Sequence, residues 1–204
     1  MEHGCMEPLD SKIAKLFSSE PLKRSKDFTA AGIPRVSLSR ALGAGQVKRL
    51  ARGLYCLPDY QPNESGDLAL VSRKIPEAIV CLLSALSYHE ITTQLPAEVW
   101  IAIPHKAWAP RLEYPSLKIV RYSSDSFVQK TMEILIDGVP VRMTTLEKTI
   151  ADCFKFRSRI GLDVVLEALR LAKEKRKLDI DELWTCAKLD RVNNVMLSYL
   201  EASS

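Results

Sequence analysis

Two stretches hold residue types at spacings suited to chemistry. The first, "PRVSLSRALGAGQVKRLARG" at residues 34–53, offers Arg35, Arg40, Lys48, Arg49 and Arg52 as cations and Ser37 and Ser39 as hydroxyls, with no acid among them. A guanidinium presents a two-pronged donor face that fits guanine O6 and N7 as well as phosphate oxygens. Such a set suits a polyanion whose bases are to be inspected, with phosphate contact alone as the plainer alternative for each residue. Lys23, Arg24 and Lys26 lie just upstream, near the start of a short helical segment, where phosphates are readily held. The second stretch is "TLEKTIADCFK", residues 145–155. Its Glu147, Lys148, Asp152 and Lys155 are neighbours on a helix and resemble in type a metal-dependent nuclease set. The weightier reading is i,i+4 pairing such as Lys148–Asp152, which supports a helix by a few tenths of a kcal/mol.

Other residues carry less. His89 and Cys153 are the types of a Cys–His nucleophile, but neither sits in a recognisable elbow, and packing explains them better. His105 and Trp108 fall in the proline-bounded loop "PHKAWAPR", where the tryptophan is either an interaction anchor or folded back on the core. "KEKRK", residues 173–177, reads as a solvated helix end with cations well placed near its C-terminus. The five cysteines, Cys5, Cys56, Cys81, Cys153 and Cys186, are widely spaced and form no C-x-x-C pair or Cys/His cluster. They are expected to be reduced and to act as small apolar residues. No catalytic residue, metal or cofactor is assigned.

The elements that position these residues follow from periodicity. "SKIAKLF", with Ser11 as N-cap, "SKDFTAAG", capped by Ser25 and stopped by Gly32, and "IPRVSLSRALGAG" read as three small helices. In the third, Pro34 suits the first turn, Leu38, Ala41 and Leu42 share an apolar face, and Val36, Ser37, Ser39 and Arg40 point away from it. "QVKRL" and "LYCLP" follow as a hairpin turned at "ARG", with Tyr55 in the core beneath it. Three helices and a hairpin make a winged helix-turn-helix, in which the third helix enters a major groove and the hairpin is the wing. "PDYQPNESGD" is rich in turn formers and reads as a linker. Beyond it, a helix, a strand running into a helix, two strands and an Asp137-Gly138 hairpin give way to helices from Thr145 onward. The expected class is α+β, a winged helix-turn-helix over 1–58, a linker over 59–66 and a larger mixed α/β domain over 67–204.

Charge distribution points the same way. Net charge is +4, yet residues 11–58 hold ten Lys/Arg against two acids, Glu20 and Asp27, while residues 59–204 are close to neutral. A confined basic block is the electrostatic footprint of nucleic-acid binding. The apolar share of 47% and charged share of 26% are those of a globular chain and exclude a disordered one. No apolar run reaches about eighteen residues, so no membrane-spanning helix is expected. "MEHGCMEPLD" carries acids and lacks the apolar core of a secretion signal, so a cytoplasmic location is expected.

"GIPRVSLSRALGAGQVKRLARGLYCLPD", "LSALSYHEITTQLP", "TLEKTIADCFK" and "GLDVVLEALR" together resemble the AbiEi-type antitoxins of type IV, abortive-infection toxin–antitoxin systems, over nearly the whole chain. The resemblance implies a winged helix that binds inverted repeats in double-stranded DNA of its own promoter and represses the operon. It also implies a C-terminal domain that counters a nucleotidyltransferase-like toxin without a stable complex. It further draws attention to Lys148, Asp152 and Lys155 as candidates for antitoxicity. Where similar sequences carry Ser or Thr before the recognition helix, this chain has Pro34. The usual cap, worth ~1 kcal/mol, is lost, and the preset φ of proline offsets part of it. A single winged helix is a small module, so cooperative binding of two copies to two half-sites is expected. Two rival readings are a plain regulator with a ligand- or partner-sensing C-terminal domain, and a nuclease-like enzyme delivered to DNA by the winged helix.

Overall fold

The structure is a computed structural model that describes residues 9–123, 127 and 129–202, without the side chains of 200–202. It separates into two compact units, one of residues 1–76 with 135–140 and the other of residues 77–134 with 141–204.

The first unit begins with helix α1 (Leu9–Phe17), strand β1 (Lys23–Arg24) and helices α2 (Ser25–Ala30) and α3 (Arg35–Gly43). Strands β2 (Lys48–Ala51) and β3 (Leu54–Cys56) complete a three-stranded sheet of order β1-β3-β2, and helix α4 (Gly66–Lys74) follows. This is the expected winged helix, with one addition. Lys23 and Arg24 form a third strand, pairing antiparallel with Tyr55 and Leu54, where a two-stranded hairpin was expected. Two residues show no alternation, so no periodicity could reveal them.

The cap assignments shift by a residue or more. Helix α1 starts at Leu9, so Ser11 lies within it. Arg24 is the N-cap of α2, and the Asp27 carboxylate accepts the Arg24 backbone N–H at 2.6 Å. Pro34 is itself the N-cap of α3, with φ −63° and ψ 155°, and makes no side-chain cap. Its fixed φ matches the extended cap conformation, and it sends the first helical turn onward from Arg35.

Apolar spacing decides which face of each helix turns inward. Ile13 and Phe17 of α1, Phe28 of α2 and Leu38 and Ala41 of α3 are buried together with Val47 and Tyr55. Phe28 sits at the centre, its ring edge-on to Phe17 at 5.9 Å and to Tyr55 at 5.4 Å. Tyr55 thus belongs to the core beneath the wing, as its place in the strand pattern implies. At the wing tip Gly53 takes φ +71°, a conformation strained for any residue with a Cβ.

The second unit carries most of a five-stranded sheet of order β6-β5-β4-β8-β7. Its strands are β4 (Ile79–Val80), β5 (Val99–Pro104), β6 (Leu117–Tyr122), β7 (Thr131–Ile136) and β8 (Val139–Thr144). β5 runs parallel to β6 and antiparallel to β4, and β4 runs parallel to β8, which makes the sheet mixed. Asp137 and Gly138 both take positive φ at the β7–β8 turn, as the Asp-Gly signal predicts. Helix α5 (Leu82–Tyr88) follows β4 directly. After β8 come α6 (Leu146–Lys155), α7 (Arg157–Ile160), α8 (Leu162–Glu174), α9 (Ile180–Asp190) and α10 (Asn193–Ala202). The core of this unit joins Ile79, Leu86, Ile150, Phe154, Leu169 and Leu183 from strand and helices alike.

The class is α+β, a winged helix followed by a strand-rich half and C-terminal helices. Among the described residues no helix is long and apolar enough to cross a membrane. The four described cysteines are buried and unpaired, and Cys5 lies outside the described residues. Phe28→Ala removes the ring that joins α1 to the wing strand and is expected to cost ~3–5 kcal/mol of unfolding free energy in urea denaturation, as for other buried aromatic truncations. A loss below ~1 kcal/mol would contradict this account of the core.

Candidate nucleic-acid interface and a buried charge network

Helix α3 presents two faces with different chemistry. Leu38 and Ala41 are buried, whereas Arg35, Ser39 and Arg40 are exposed and Ser37 is half-buried. Val36 is 62% exposed on the same outward side. The pattern that set Val36 apart from the apolar stripe was legible, but its use was not. An apolar group exposed among donors suits contact with a thymine methyl.

The wing adds cations in register. β2 is an edge strand, with Lys48 opposite Cys56 and Arg49 opposite Tyr55, and a bulge between Arg49 and Ala51. Lys48, Arg49 and Arg52 are all exposed, and Arg49 Nε also donates to the Ala51 carbonyl at 3.4 Å. Lys74, at the end of α4, donates its ammonium to the Arg52 carbonyl. A further cation thus stands at the wing tip, from 22 residues downstream, a proximity that sequence spacing does not reveal.

The upstream basic cluster divides. Lys26 is exposed, but Lys23 is only 5% exposed, with its ammonium 2.9 Å from Ser19 Oγ and 3.5 Å from Glu20. Arg24 pairs with Asp27 at 3.8 Å. Arg73 of α4 completes the arrangement. One of its terminal nitrogens lies 2.6 Å from Asp27 and 3.0 Å from Glu20, and its Nε donates to the Leu22 carbonyl at 2.9 Å. Both acids of residues 11–58 are therefore engaged by Lys23, Arg24 and Arg73. Lys26, Arg35, Arg40, Lys48, Arg49 and Arg52 have no acidic partner among the described residues.

In the second unit the residues of "TLEKTIADCFK" form a network inside the protein. The Thr145 hydroxyl caps α6 by accepting the Lys148 N–H at 3.4 Å. Lys148 and Asp152 are fully buried and joined to each other, and Lys148 Nζ also donates to Asp190 of α9 at 2.8 Å. Lys155, a third exposed, donates to the other Asp190 oxygen at 3.1 Å. Lys148 Nζ further stands 4.8 Å from the centroid of the Tyr122 ring. Lys148–Asp152, read from spacing as an i,i+4 pair that supports a helix, is a fully buried pair. Its third member, Asp190, lies 42 residues downstream and leaves no trace in the i,i+4 pattern.

The two carboxylates are inequivalent. Burial pushes Asp152 up to about 7, Lys148 works against this, and the Asp190 charge adds to it. Burial also acts to raise Asp190, but Lys148 and Lys155 outweigh it and hold that group below its ordinary value. Burial acts to lower Lys148, and the two carboxylates overcome it, leaving the ammonium above its ordinary value.

The remaining candidates fall to structural roles or to the surface. His89 Nε2 lies 3.0 Å from the Thr144 carbonyl, and burial lowers its pKa. Burial raises the Cys153 thiol far above its ordinary value, which leaves it protonated and a poor nucleophile. Lys175 and Lys177 both engage Glu90, in keeping with a solvated helix end. Trp108 is 96% exposed, so it does not fold back on the core. Among the described residues no group of three or more His, Cys, Asp or Glu is arranged to hold a metal ion.

Three helices with a three-stranded sheet, the third helix outward and basic, define a winged helix-turn-helix protein. Residues 11–58 match the family model described as "Transcriptional regulator, AbiEi antitoxin". That segment, about a quarter of the chain, is similar to the AbiEi antitoxin family of transcriptional regulators. No curated protein matches the sequence. Among solved structures, the crystal structure of the RV2827C protein from Mycobacterium tuberculosis is similar in fold. The TM-score is 0.52 at 14% identity, over 91% of this chain and 77% of that one.

The buried network makes two predictions. Lys148→Met leaves Asp152 buried without its cation and Asp190 with Lys155 alone, and is expected to cost ~3–5 kcal/mol in urea denaturation. Asp152 has a folded value near 7, above the ordinary 3.8, so its contribution to stability is full below about pH 4 and is lost as pH rises through 7. Asp152→Asn removes that loss, so its melting temperature relative to wild type is expected to rise from pH 5 to pH 8. A relative melting temperature that falls over this range would contradict the assignment.

Proposed function

We propose that this protein is an autorepressing antitoxin whose winged helix binds inverted repeats in the double-stranded DNA of its own promoter. The observation that carries the reading is the sorting of charge in the first unit. Glu20 and Asp27, the two acids of residues 11–58, are paired off by Lys23, Arg24 and Arg73, and exposed cations without acidic partners remain on α2, α3 and the wing. Arg35 and Arg40 inspect base edges, with Ser37 and Ser39 as adaptable donors and Val36 against a thymine methyl. Lys26, Lys48, Arg49 and Arg52 hold phosphates and set the register. In this division of labour residues 1–58 bind DNA, 59–66 connect, and 67–204 counter a nucleotidyltransferase-like toxin, with no stable complex required. The Lys148–Asp152–Asp190 network serves antitoxicity by fixing α6 and α9 to each other, and Lys155 is its solvent-facing member. Two copies bind cooperatively on paired half-sites, and the protein works in the cytoplasm.

The test is a mobility-shift titration with the duplex upstream of the gene and a scrambled duplex as reference. Arg40→Ala is expected to weaken specific binding by ~1–3 kcal/mol and to narrow the gap between the two duplexes. Arg52→Ala is expected to weaken both duplexes alike. Wild-type binding by both variants, at a salt concentration that suppresses non-specific association, would refute the reading. Co-expression with the neighbouring nucleotidyltransferase-like gene separates the two roles. The Arg40→Ala/Arg52→Ala double variant is expected to lose repression and still protect growth.

A further inference from the structure

The second unit holds an open cleft of about 460 Å³ lined by His105, Ala109, Ile119, Arg121, Phe156 and Arg159. That volume lies within the range of roughly 300–1,000 Å³ usual for small-molecule sites. No acidic side chain is among those that line it. Arg121 on β6 and Arg159 on α7 are both exposed, and neither has an acidic partner among the described residues. Elsewhere in this unit Lys118 pairs with Glu98, Arg170 with Glu174 and Lys177 with Glu90.

The cleft also has an aromatic side. Phe156 stacks on Tyr122, with centroids 5.8 Å apart and planes 12° apart, and the Arg159 guanidinium lies 5.8 Å from the Phe156 ring centroid. Arg159 is thus braced against a ring that is itself braced, so its fork loses less freedom on meeting an anion. Trp108, between lining residues His105 and Ala109, is 96% exposed. The indole is thus open to solvent in a loop whose residues on either side line the cleft.

We propose that this cleft binds a nucleotide, with its phosphate forked by Arg121 and Arg159 and its base stacked on Trp108. Two arginines favour phosphate, whose oxygens accept the paired N–H donors of each guanidinium. Cations interleaved with aromatic faces take single-stranded nucleic acid with little sequence preference, because every base has a π-face. The site lies within the second unit, and the proposal does not depend on the promoter-binding reading. A nucleotide free in solution and one within an RNA strand present the same chemistry here.

The experiment is fluorescence anisotropy of a 3′-fluorescein-labelled ten-nucleotide oligoadenylate RNA titrated with the full chain, then competed with adenosine 5′-monophosphate. Saturable binding is expected, weakened about tenfold or more by Arg121→Ala/Arg159→Ala and by Trp108→Ala. Arg40→Ala/Arg52→Ala is expected to weaken it far less than the cleft variants do. Competition by the mononucleotide supports a free nucleotide as sufficient ligand, and binding of the oligonucleotide without such competition supports a strand. Absence of saturable binding, wild-type affinity in the cleft variants, or an equal loss in the winged-helix variant would overturn the proposal. Arg121, Arg159 and Trp108 are all exposed, so their truncation leaves the core intact, and Trp108→Ala alone decides the matter should the double variant fail to fold.

Discussion

Arg73 governs the electrostatics of the first unit. Residues 11–58 contain only two acids, and left free they would stand among the cations that give the segment its character. Arg73 reaches both Glu20 and Asp27 and holds the Leu22 carbonyl as well, so one guanidinium satisfies two carboxylates and a backbone acceptor. All three ion-paired side chains are largely buried, at 15–22% exposure, where charge pairs are screened far less than on an open surface. Lys23 and Arg24 join the same cluster, and the strand they form closes the sheet against β3. Charge neutralisation and strand pairing thus involve the same residues, and the exposed charges left within residues 11–58 are all positive.

The second unit applies the opposite strategy to the same residue types. There a lysine and two aspartates are withdrawn from water altogether, and their attraction must offset a desolvation cost of several kcal/mol per ion. Such a network contributes little net stability but penalises any arrangement of α6 and α9 that separates its members. The unequal carboxylates fit this view. Asp190, with two ammonium partners, keeps its charge, and Asp152, shielded from water, gives way toward the neutral form near pH 7.

What the sequence made legible follows from local rules. Helix α3 was visible because Leu38, Ala41 and Leu42 recur at helical spacing, and the β7–β8 turn because Asp-Gly has few other uses. The wing was visible because Gly53 interrupts two apolar runs. β1 was hidden because two residues have no period, and the burial of Lys23 was hidden with it. The partners Arg73, Lys74 and Asp190 were hidden because each lies 22 or more residues from what it touches. Periodicity reports which face of an element turns inward, and it is silent on which distant charge waits there. Hence spacing showed Lys148–Asp152 as an i,i+4 pair but not its burial with Asp190 of α9.

The central claim is that a set of cations without acidic partners in the first unit grips duplex phosphate, and the salt dependence of binding tests it most directly. Six such side chains, Lys26, Arg35, Arg40, Lys48, Arg49 and Arg52, release up to about six counterions per bound copy. The logarithm of the binding constant for the upstream duplex should therefore fall against the logarithm of salt concentration with a slope of about −4 to −5 per copy. A slope shallower than about −1 would mean that these cations do not meet phosphate, and the account would fail with it.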